Sequence, residues 1–580
     1  MKYRWILRPL DRPDVVARVR RELNDLPEAL ARALVLRGVD TFERARLFFR
    51  PSLEQLHDPF LMRDMDAAAD RVVHALGRGE RILVYGDYDV DGTTSTALMT
   101  SFLRERGADV SFFIPNRFDD GYGLGPAGID HAADVGARLI VALDCGVTAV
   151  EAAAYARSKG LDLIICDHHT PKPELPDAVA VLDPKRPDCA YPFKELSGCG
   201  VGFKLVQAVL QRLGEPPEHA FAYLDLVAVS TASDIVPVYG ENRVLMAEGL
   251  QVLKRRPRVG LRALAEQARF DFETCDTSQI VFQIGPRINA AGRLGDAGLA
   301  VRLLLEEDEI QARAYASQLE QLNKQRRTLD QETLDSALQL ADRHVTARTR
   351  HSVVVHHPDW HLGVIGIVAS RLVERFYRPT ILLCTNQGEV KGSARSIGGL
   401  NIYDALVQCK DLLVEFGGHD FAAGLSLREE NIPAFQDRFD EVVGAMITAD
   451  MLRPAIEVDA ALHLGDIDQR FWAVLKQFAP FGPENGRPVF QATDLELAGQ
   501  PRTVGRDGAH LKFSVRQRGG YDGMDVIGFS MGDQLPVLHA SRQNGQPLEL
   551  LFSVEENAWN GRTTLQLKAR DLRLAGAEGG

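Results

Sequence analysis

Carboxylates and imidazoles gather in this chain at four places. Asp87, Asp89 and Asp91 lie in VYGDYDVDGTT, Asp144 in IVALDCG, Asp167, His168 and His169 in LIICDHH, and Asp234 in STASDIVP. Side chains of these types transfer protons or hold cations. Carboxylates brought together at this density repel one another, and a divalent cation is the natural neutraliser. Mostly oxygen donors with one or two imidazoles suit Mn²⁺ or Mg²⁺ better than structural zinc. Two ions roughly 3.5–4 Å apart account for the number of ligands. Each motif alone reads as a turn or a helix cap. Their convergence on one place is what points to chemistry.

Convergence requires elements that deliver them. RILVYG (81–86), DVSFFIP (109–115), ARLIVALDCG (137–146) and LDLIICDHH (161–169) have the apolar content of strands, and amphipathic stretches stopped by Gly107 and Gly160 lie between them. This alternation predicts an α/β fold with a parallel sheet covered on both faces. The strand carboxyl ends then share one edge, outside which ligands bind. Three of the acidic motifs sit at such ends. Asp234 falls at a predicted helix end and completes the set.

The rest of the chain divides by pattern. Residues 1–60 are Arg-rich and helical, broken by Pro9, Pro13, Pro27 and Pro51, and are expected to pack on the segment that follows. Residues 61–298 hold the acidic motifs. Residues 299–357 contain neither Gly nor Pro, which predicts one or two long polar helices as a bridge, assigned to 299–345. Residues 346–452 read as a second, smaller α/β domain (HSVVVHH, GVIGIVASRLVERF, TILLCT). Residues 453–580 turn strand-like (HLKFSV, MDVIGFS, LELLFSVEE, TTLQLKARDLRL), with an Asn560-Gly561 hairpin turn, and suggest an all-β, OB-like barrel.

Composition sets outer limits. The chain has 580 residues, 45% hydrophobic and 25% charged, which excludes a disordered or fibrous protein. The net charge of −13 excludes a histone-like protein but not a local basic groove for nucleic acid. Seven cysteines without a CxxC pair argue against a disulfide framework or structural zinc and fit a reducing cytoplasm. The N-terminal residues lack the apolar core of a secretory signal, and no apolar run approaches the ~18 residues of a membrane span.

GDYDVDG, LDCG, CDHH and SDIVP, in this order, resemble the four motifs of the DHH phosphoesterase superfamily, and GGHDFAAG (417–424) resembles the glycine-rich motif of its associated domain. WHLGVIGIVASRL (360–372), PRINAAGRLGDA (286–297), KGSARS (391–396) and PFGPENGRPVF (480–490) narrow the resemblance to the superfamily's bacterial branch of single-stranded-DNA-specific 5′→3′ exonucleases. The resemblance runs from about residue 65 to the end of the barrel. It implies a two-metal hydrolase that degrades single-stranded DNA to 5′-mononucleotides in recombination and repair, using Mn²⁺ or Mg²⁺. It also implies a single-stranded-DNA-binding protein and a RecQ-type helicase as partners. Asp89, Asp91, Asp144, His168 and Asp234 become metal ligands, with Asp144 bridging. Asp87 is an added ligand or lies just behind, Asp167 orients an imidazole, and His169 contacts the scissile phosphate or protonates the leaving oxygen. Two alternatives stand beside this reading. One is a related enzyme for short oligonucleotides, cyclic dinucleotides or pyrophosphate. The other is a non-catalytic replication scaffold of the same fold, against which the complete ligand set argues.

Other residues are expected at the substrate. His419, in GGHDFAAG, would meet a phosphate across the cleft, where glycines let backbone N–H groups approach an anion. Arg395 with Ser393, helped by Arg117 and by Arg287 or Arg293, would hold a terminal phosphate, which guanidinium matches bidentately. KRRPR (254–258) and KQRR (324–327) are solvated faces or line the strand's path. Phe513, Phe529 and Trp559 are candidates for base stacking or core.

Overall fold

Runs of Val, Ile and Leu without alternation demand burial on both faces, and the sheet they form has it. β1 (Ile82–Gly86), β2 (Val110–Phe113), β3 (Leu139–Leu143), β4 (Asp162–Cys166) and a short β5 (Ala180–Leu182) run parallel in the order β2-β1-β3-β4-β5. Alternate side chains serve two cores. Val84, Val141 and Ile164 face one set of helices, while Leu83, Ile140 and Ile165 face another. The computed structural model describes residues 3–118, 120–121, 123–347, 351–559 and 562–576. The Asn560-Gly561 turn and the Trp559 side chain lie outside the described residues.

The chain separates into two units, Pro51–Ile447 with Gly482–Glu484, and Met1–Arg50 with Thr448–Phe481 and Asn485–Gly580. In the first unit the helix Gly298–Leu305 precedes one 39-residue helix, Glu309–Ala347. That long helix leads to a mixed sheet of β6 (Val353–His356), β7 (Thr380–Asn386), β8 (Glu389–Arg395), β9 (Leu413–Gly418) and β10 (Ala422–Leu427), ordered β9-β10-β8-β7-β6. Glu320 of the long helix pairs with Arg287 at 2.7 Å, and its Asp330 pairs with Arg371 at 3.0 Å. The bridge is thus tied to its neighbours by two carboxylates that are largely buried.

The second unit corrects the expectation for the N-terminus. Val19, Leu30 and Leu34 share a core with Phe471, Phe478, Phe490 and Phe552, not with the parallel sheet. An apolar helix stripe specifies burial but not its partner, and here the partner lies over 400 residues away in sequence. Arg37 and Asp459 seal the contact as a buried pair at 3.1 Å, and strand Arg4–Leu7 pairs in parallel with Ala455–Val458. The barrel closes through β11 (Phe490–Leu497), β12 (His510–Gln517), β13 (Gly523–Gly528), β14 (Leu548–Trp559) and β15 (Arg562–Leu574). β11 pairs with both β12 and β14, and β13 pairs in parallel with β15. This ring, with helix Leu535–Asn544 between β13 and β14, is an OB-type barrel. The module is therefore not all-β. No helix among the described residues is long and apolar enough to cross a membrane.

Candidate metal centre and adjoining cleft

The acidic motifs meet at the carboxyl edge of the parallel sheet. After β1 the chain doubles back so tightly that a Cβ on Gly92 would stand 2.3 Å from the Asp87 carbonyl oxygen, so this position requires glycine. The helix Val90–Glu105 starts there, capped by Asp89, whose side chain accepts the Gly92 N–H at 3.0 Å. Asp91 accepts the N–H groups of Gly198 (2.6 Å) and Cys199 (2.8 Å), at the start of helix Gly198–Arg212, and the Ser230 hydroxyl (2.7 Å). Asp144 follows β3 in left-handed backbone (φ 62°). Gly198 presses against it, where a Cβ would meet the Asp144 Cβ at 2.7 Å. Asp234 ends helix Leu224–Ser233, as predicted.

His168 stands between the carboxylates. Its Nε2 is 3.2 Å from Asp144, 3.6 Å from Asp234 and 3.7 Å from Asp91. Asp87, Asp89 and Asp144 form one trio, and Asp91, His168 and Asp234 a second; within each, the ligating atoms lie within 4.8 Å of one another. A further trio of Asp144, His168 and His169 overlaps both. Burial, and then the neighbouring carboxylates, push Asp87, Asp144 and Asp234 well above the usual carboxylate range. Burial brings His168 down to about 4, against the pull of Asp91, which leaves the neutral imidazole that ligates metals. Among the described residues, neither His168 nitrogen has a hydrogen-bond partner, and the buried Oδ1 atoms of Asp87 and Asp144 also lack one. Buried polar atoms are normally satisfied. Oxygen-rich donors around one imidazole, left unsatisfied by protein, fit divalent Mn²⁺ or Mg²⁺.

Asp167 lies against the His169 imidazole. Its carboxylate accepts the backbone N–H groups of Val147 (2.8 Å) and His168 (2.7 Å) and holds His169 Nδ1 at 2.7 Å. Burial alone would raise it, but His169 and then the Val147 N–H bring it to about 2. Burial alone would lower His169, yet Asp167 raises it to about 9. Asp167 thus favours the protonated form of His169, which stands beside the carboxylates.

Next to this centre lies a cleft of about 610 Å³. Tyr88, Arg117, Arg293, Ser393 and Arg395 line it, and Gly366 forms its floor. A Cβ on Gly366 would approach Arg395 Nη2 to 2.8 Å and Ser393 Oγ to 2.9 Å. Arg395 Nη1 donates to Ser393 Oγ (3.0 Å) and to the Ala394 carbonyl (2.7 Å). The Arg117 guanidinium sits 5.3 Å from the Tyr88 ring centroid. Burial, and then Arg117, Arg326 and Arg395, bring Arg293 down to about 10. Burial and Arg117 lower Arg395 as well. These half-buried guanidiniums repel one another and make the cleft electropositive.

Several expected contacts fall elsewhere. Arg287 is bound to Glu320 and donates to the Gln283 carbonyl at 2.6 Å, outside the cleft. It is six residues from Arg293, about 240° around a helix, so the two cannot share a face. Arg258 of KRRPR is engaged in a two-pronged pair with Asp225 (2.8 and 2.9 Å). Gly417 and Gly418 line the cleft, while His419 stands exposed in the turn beyond them. Phe513 is core, whereas Phe529 is 51% exposed. Sequence reasoning passed over Tyr88, Ser230, Gly366 and the Gly198–Cys199 amides. The glycines of SGCGVG were the one available signal for the last.

The family model of the DHH family N-terminal domain matches residues 81–231, that of the DHHA1 domain 350–445 and that of the RecJ OB domain 458–571. A parallel sheet with this acidic edge and these three matches defines a DHH-type phosphoesterase. The single-stranded-DNA-specific exonuclease RecJ of Bacillus subtilis is 39% identical over 576 residues, 99% of this chain and 71% of that protein. The crystal structure of RecJ from Thermus thermophilus in complex with Mn²⁺ is similar with a TM-score of 0.84 at 32% identity, covering 98% of this chain and 79% of that one. Its counterpart in complex with Mg²⁺ gives 0.78 at 31% identity, over 98% and 78%. The chain belongs to the RecJ family of single-stranded-DNA-specific exonucleases.

Proposed function

We propose that this chain is a Mn²⁺- or Mg²⁺-dependent exonuclease that removes 5′-mononucleotides from the 5′ end of single-stranded DNA. The observation that carries this reading is the juxtaposition of two ligand trios with an arginine-lined cleft. Ions held by the trios supply charge neutralisation at the phosphoryl oxygens and activation of water. Asp87, Asp89, Asp91, Asp144, His168 and Asp234 hold them. His169, protonated through Asp167, donates a hydrogen bond to the scissile phosphate or a proton to the leaving 3′-oxygen. Arg395, Arg117 and Arg293 bind the terminal 5′-phosphate, which sets polarity by placing the first internucleotide linkage at the carboxylates.

The barrel supports a longer grip. Arg502, Lys512, Ile527 and Lys568 are cross-strand partners in one row, so three cations share a face. Phe529 lies beside them, with Lys568 5.1 Å from its ring centroid and His510 edge-on at 5.2 Å. An aromatic flanked by cations suits stacked bases and a phosphate backbone. Recombination and repair in the cytoplasm, with a single-stranded-DNA-binding protein and a RecQ-type helicase as partners, complete the proposal; co-purification with each tests the partners.

The test of function is digestion of long end-labelled single strands with Mn²⁺, with duplex, dinucleotide and pyrophosphate as controls. Stepwise loss from the 5′ end of single strands alone is expected. Preference for dinucleotide or pyrophosphate would overturn it.

A further inference from the structure

The order of strands along the sheet edge lines up the charges that a DNA strand would cross. In the order β2-β1-β3-β4-β5, Arg117 follows β2, the acidic motifs follow β1, β3 and β4, and Lys185 follows β5. The carboxylates thus stand between two cations on opposite sides of them along one edge. Arg117 belongs to the arginine-lined cleft, and Lys185 lies outside it.

The backbone at Lys185 is held from both sides. Asp183 Oδ1 accepts the Lys185 N–H at 2.7 Å. The next residue is a brace: Arg186 Nη1 donates to Asp64 and to the Val181 carbonyl, both at 2.6 Å, and its Nη2 donates to Asp188 at 2.8 Å. The two neighbouring cations therefore differ. Arg186 is buried, whereas the Lys185 side chain is 30% exposed. Lys185 Nζ stands 3.9 Å from Glu195 Oε2, itself 33% exposed. A pair this open and this long contributes little, so the ammonium is available to a stronger anion. Its charge is felt at the metal centre, where it acts to lower both Asp234 and His168. β5 lies two strand spacings from β3, about 9–10 Å. With a terminal phosphate at Arg117 and Arg395 and the first linkage over the carboxylates, an extended strand continues away from its own terminus, across β4 and toward β5. The next anion along it is the second internucleotide phosphate.

We infer that Lys185 binds the second internucleotide phosphate, the one just beyond the scissile linkage, and holds the strand in register while the first nucleotide leaves. This rests on the 5′-exonuclease reading above. A lysine suits the place. It holds a phosphate as a point charge, without the fixed fork of arginine, and the strand must slide by one phosphate after each cut. The shortened strand keeps the scissile phosphate as its new 5′ end, and the phosphate that Lys185 held becomes the next linkage to be cut.

The experiment removes the charge from each side of the contact. One 5′-phosphorylated single strand has ordinary linkages throughout, a second carries an uncharged methylphosphonate at the second linkage, and a third carries it at the fourth. Release of the first nucleotide is followed in Mn²⁺ for wild type, Lys185→Gln and Lys185→Arg. Wild type should favour the ordinary strand over the second-linkage methylphosphonate by about tenfold in kcat/KM, the lower end of what a charge-assisted hydrogen bond supplies. Lys185→Gln should lose about the same factor on the ordinary strand, bring the ratio close to one, and reduce the slope of log kcat/KM against log salt by about 0.7. Lys185→Arg should keep the preference, and the fourth-linkage strand should not distinguish the three proteins. A ratio taken within one preparation is unaffected by partial loss of fold or metal. An unchanged ratio in Lys185→Gln, or indifference of wild type to the second linkage, would falsify the contact, and a ratio lost at the fourth linkage alone would overturn its position. Failure of the wild type to release nucleotides from the ordinary strand would instead sink the exonuclease reading beneath it.

Discussion

Replacing Arg395 by Ala tests how the enzyme finds a 5′ end. Nη1 is already committed to Ser393 and Ala394, at 3.0 and 2.7 Å. Nε and Nη2 remain for the ligand. Nη2 points to the floor at Gly366, where a Cβ would intrude to 2.8 Å. Charge-assisted hydrogen bonds contribute about 1.5–3 kcal/mol each. Loss of a single one should lower kcat/KM on 5′-phosphorylated strands by about 10- to 150-fold, at ~1.4 kcal/mol per factor of ten. A 5′-hydroxyl strand makes no such contact and should lose far less. Gly366→Ala, which leaves the arginine in place but crowds it, should move the same ratio in the same direction. The assay is kcat/KM for both strands in all three proteins. An equal fall on both strands in Arg395→Ala would show that this arginine serves the chemistry or the fold and does not read the terminus.

The carboxyls of Asp87, Asp144 and Asp234 are raised in the folded state, so the native protein binds protons more tightly than the unfolded chain and loses stability as pH rises above the ordinary carboxylate value. In EDTA, Asp144→Asn should therefore melt higher than wild type, by a margin that widens as pH rises from about 4, and should lose most of the Mn²⁺-induced rise in Tm; a lower Tm at every pH would refute this. Asp167→Asn should let His169 fall from about 9 toward its ordinary value of 6.5. The alkaline limb of the pH–kcat/KM profile should then move to lower pH, and an unmoved limb removes His169 from the reaction as an acid. Lys512→Glu with Lys568→Glu should weaken binding of long strands and reduce the slope of log K against log salt by about 1.4, at ~0.7 per phosphate contact. Hydrolysis of strands too short to reach the barrel should persist, and an unchanged slope would make this face a bystander.

The acidic edge was legible because parallel strands buried on both faces announce themselves as apolar runs, and LDCG and CDHH sit where such runs stop. The bridge was legible from the lack of Gly and Pro, although the break at residues 306–308 carries no such mark. What escaped depends on long-range contact. The stripe of Val19, Leu30 and Leu34 declares that it is buried and says nothing about Phe478 or Phe552. Helix Leu535–Asn544 buries little beyond Leu538 and Ser541, too few positions for a periodic signal. Arg287, Arg258 and Arg395 look alike in sequence; only the presence of Glu320 and Asp225 nearby marks the first two as braces.

The shared core of the N-terminal helices and the barrel has a consequence for biosynthesis. The N-terminal helices leave the ribosome before Pro51–Ile447, yet the residues that cover their apolar stripe are made after it. At about 5–20 residues per second, translation of the intervening stretch takes roughly 20–80 s. Throughout that time the sheet-bearing unit can fold while Leu30 and Leu34 remain uncovered. The nascent chain thus exposes a hydrophobic surface throughout that interval, and ribosomes that stall before the barrel is made would leave a product whose phosphoesterase half is folded and whose N-terminal helices are free to aggregate or to recruit a chaperone.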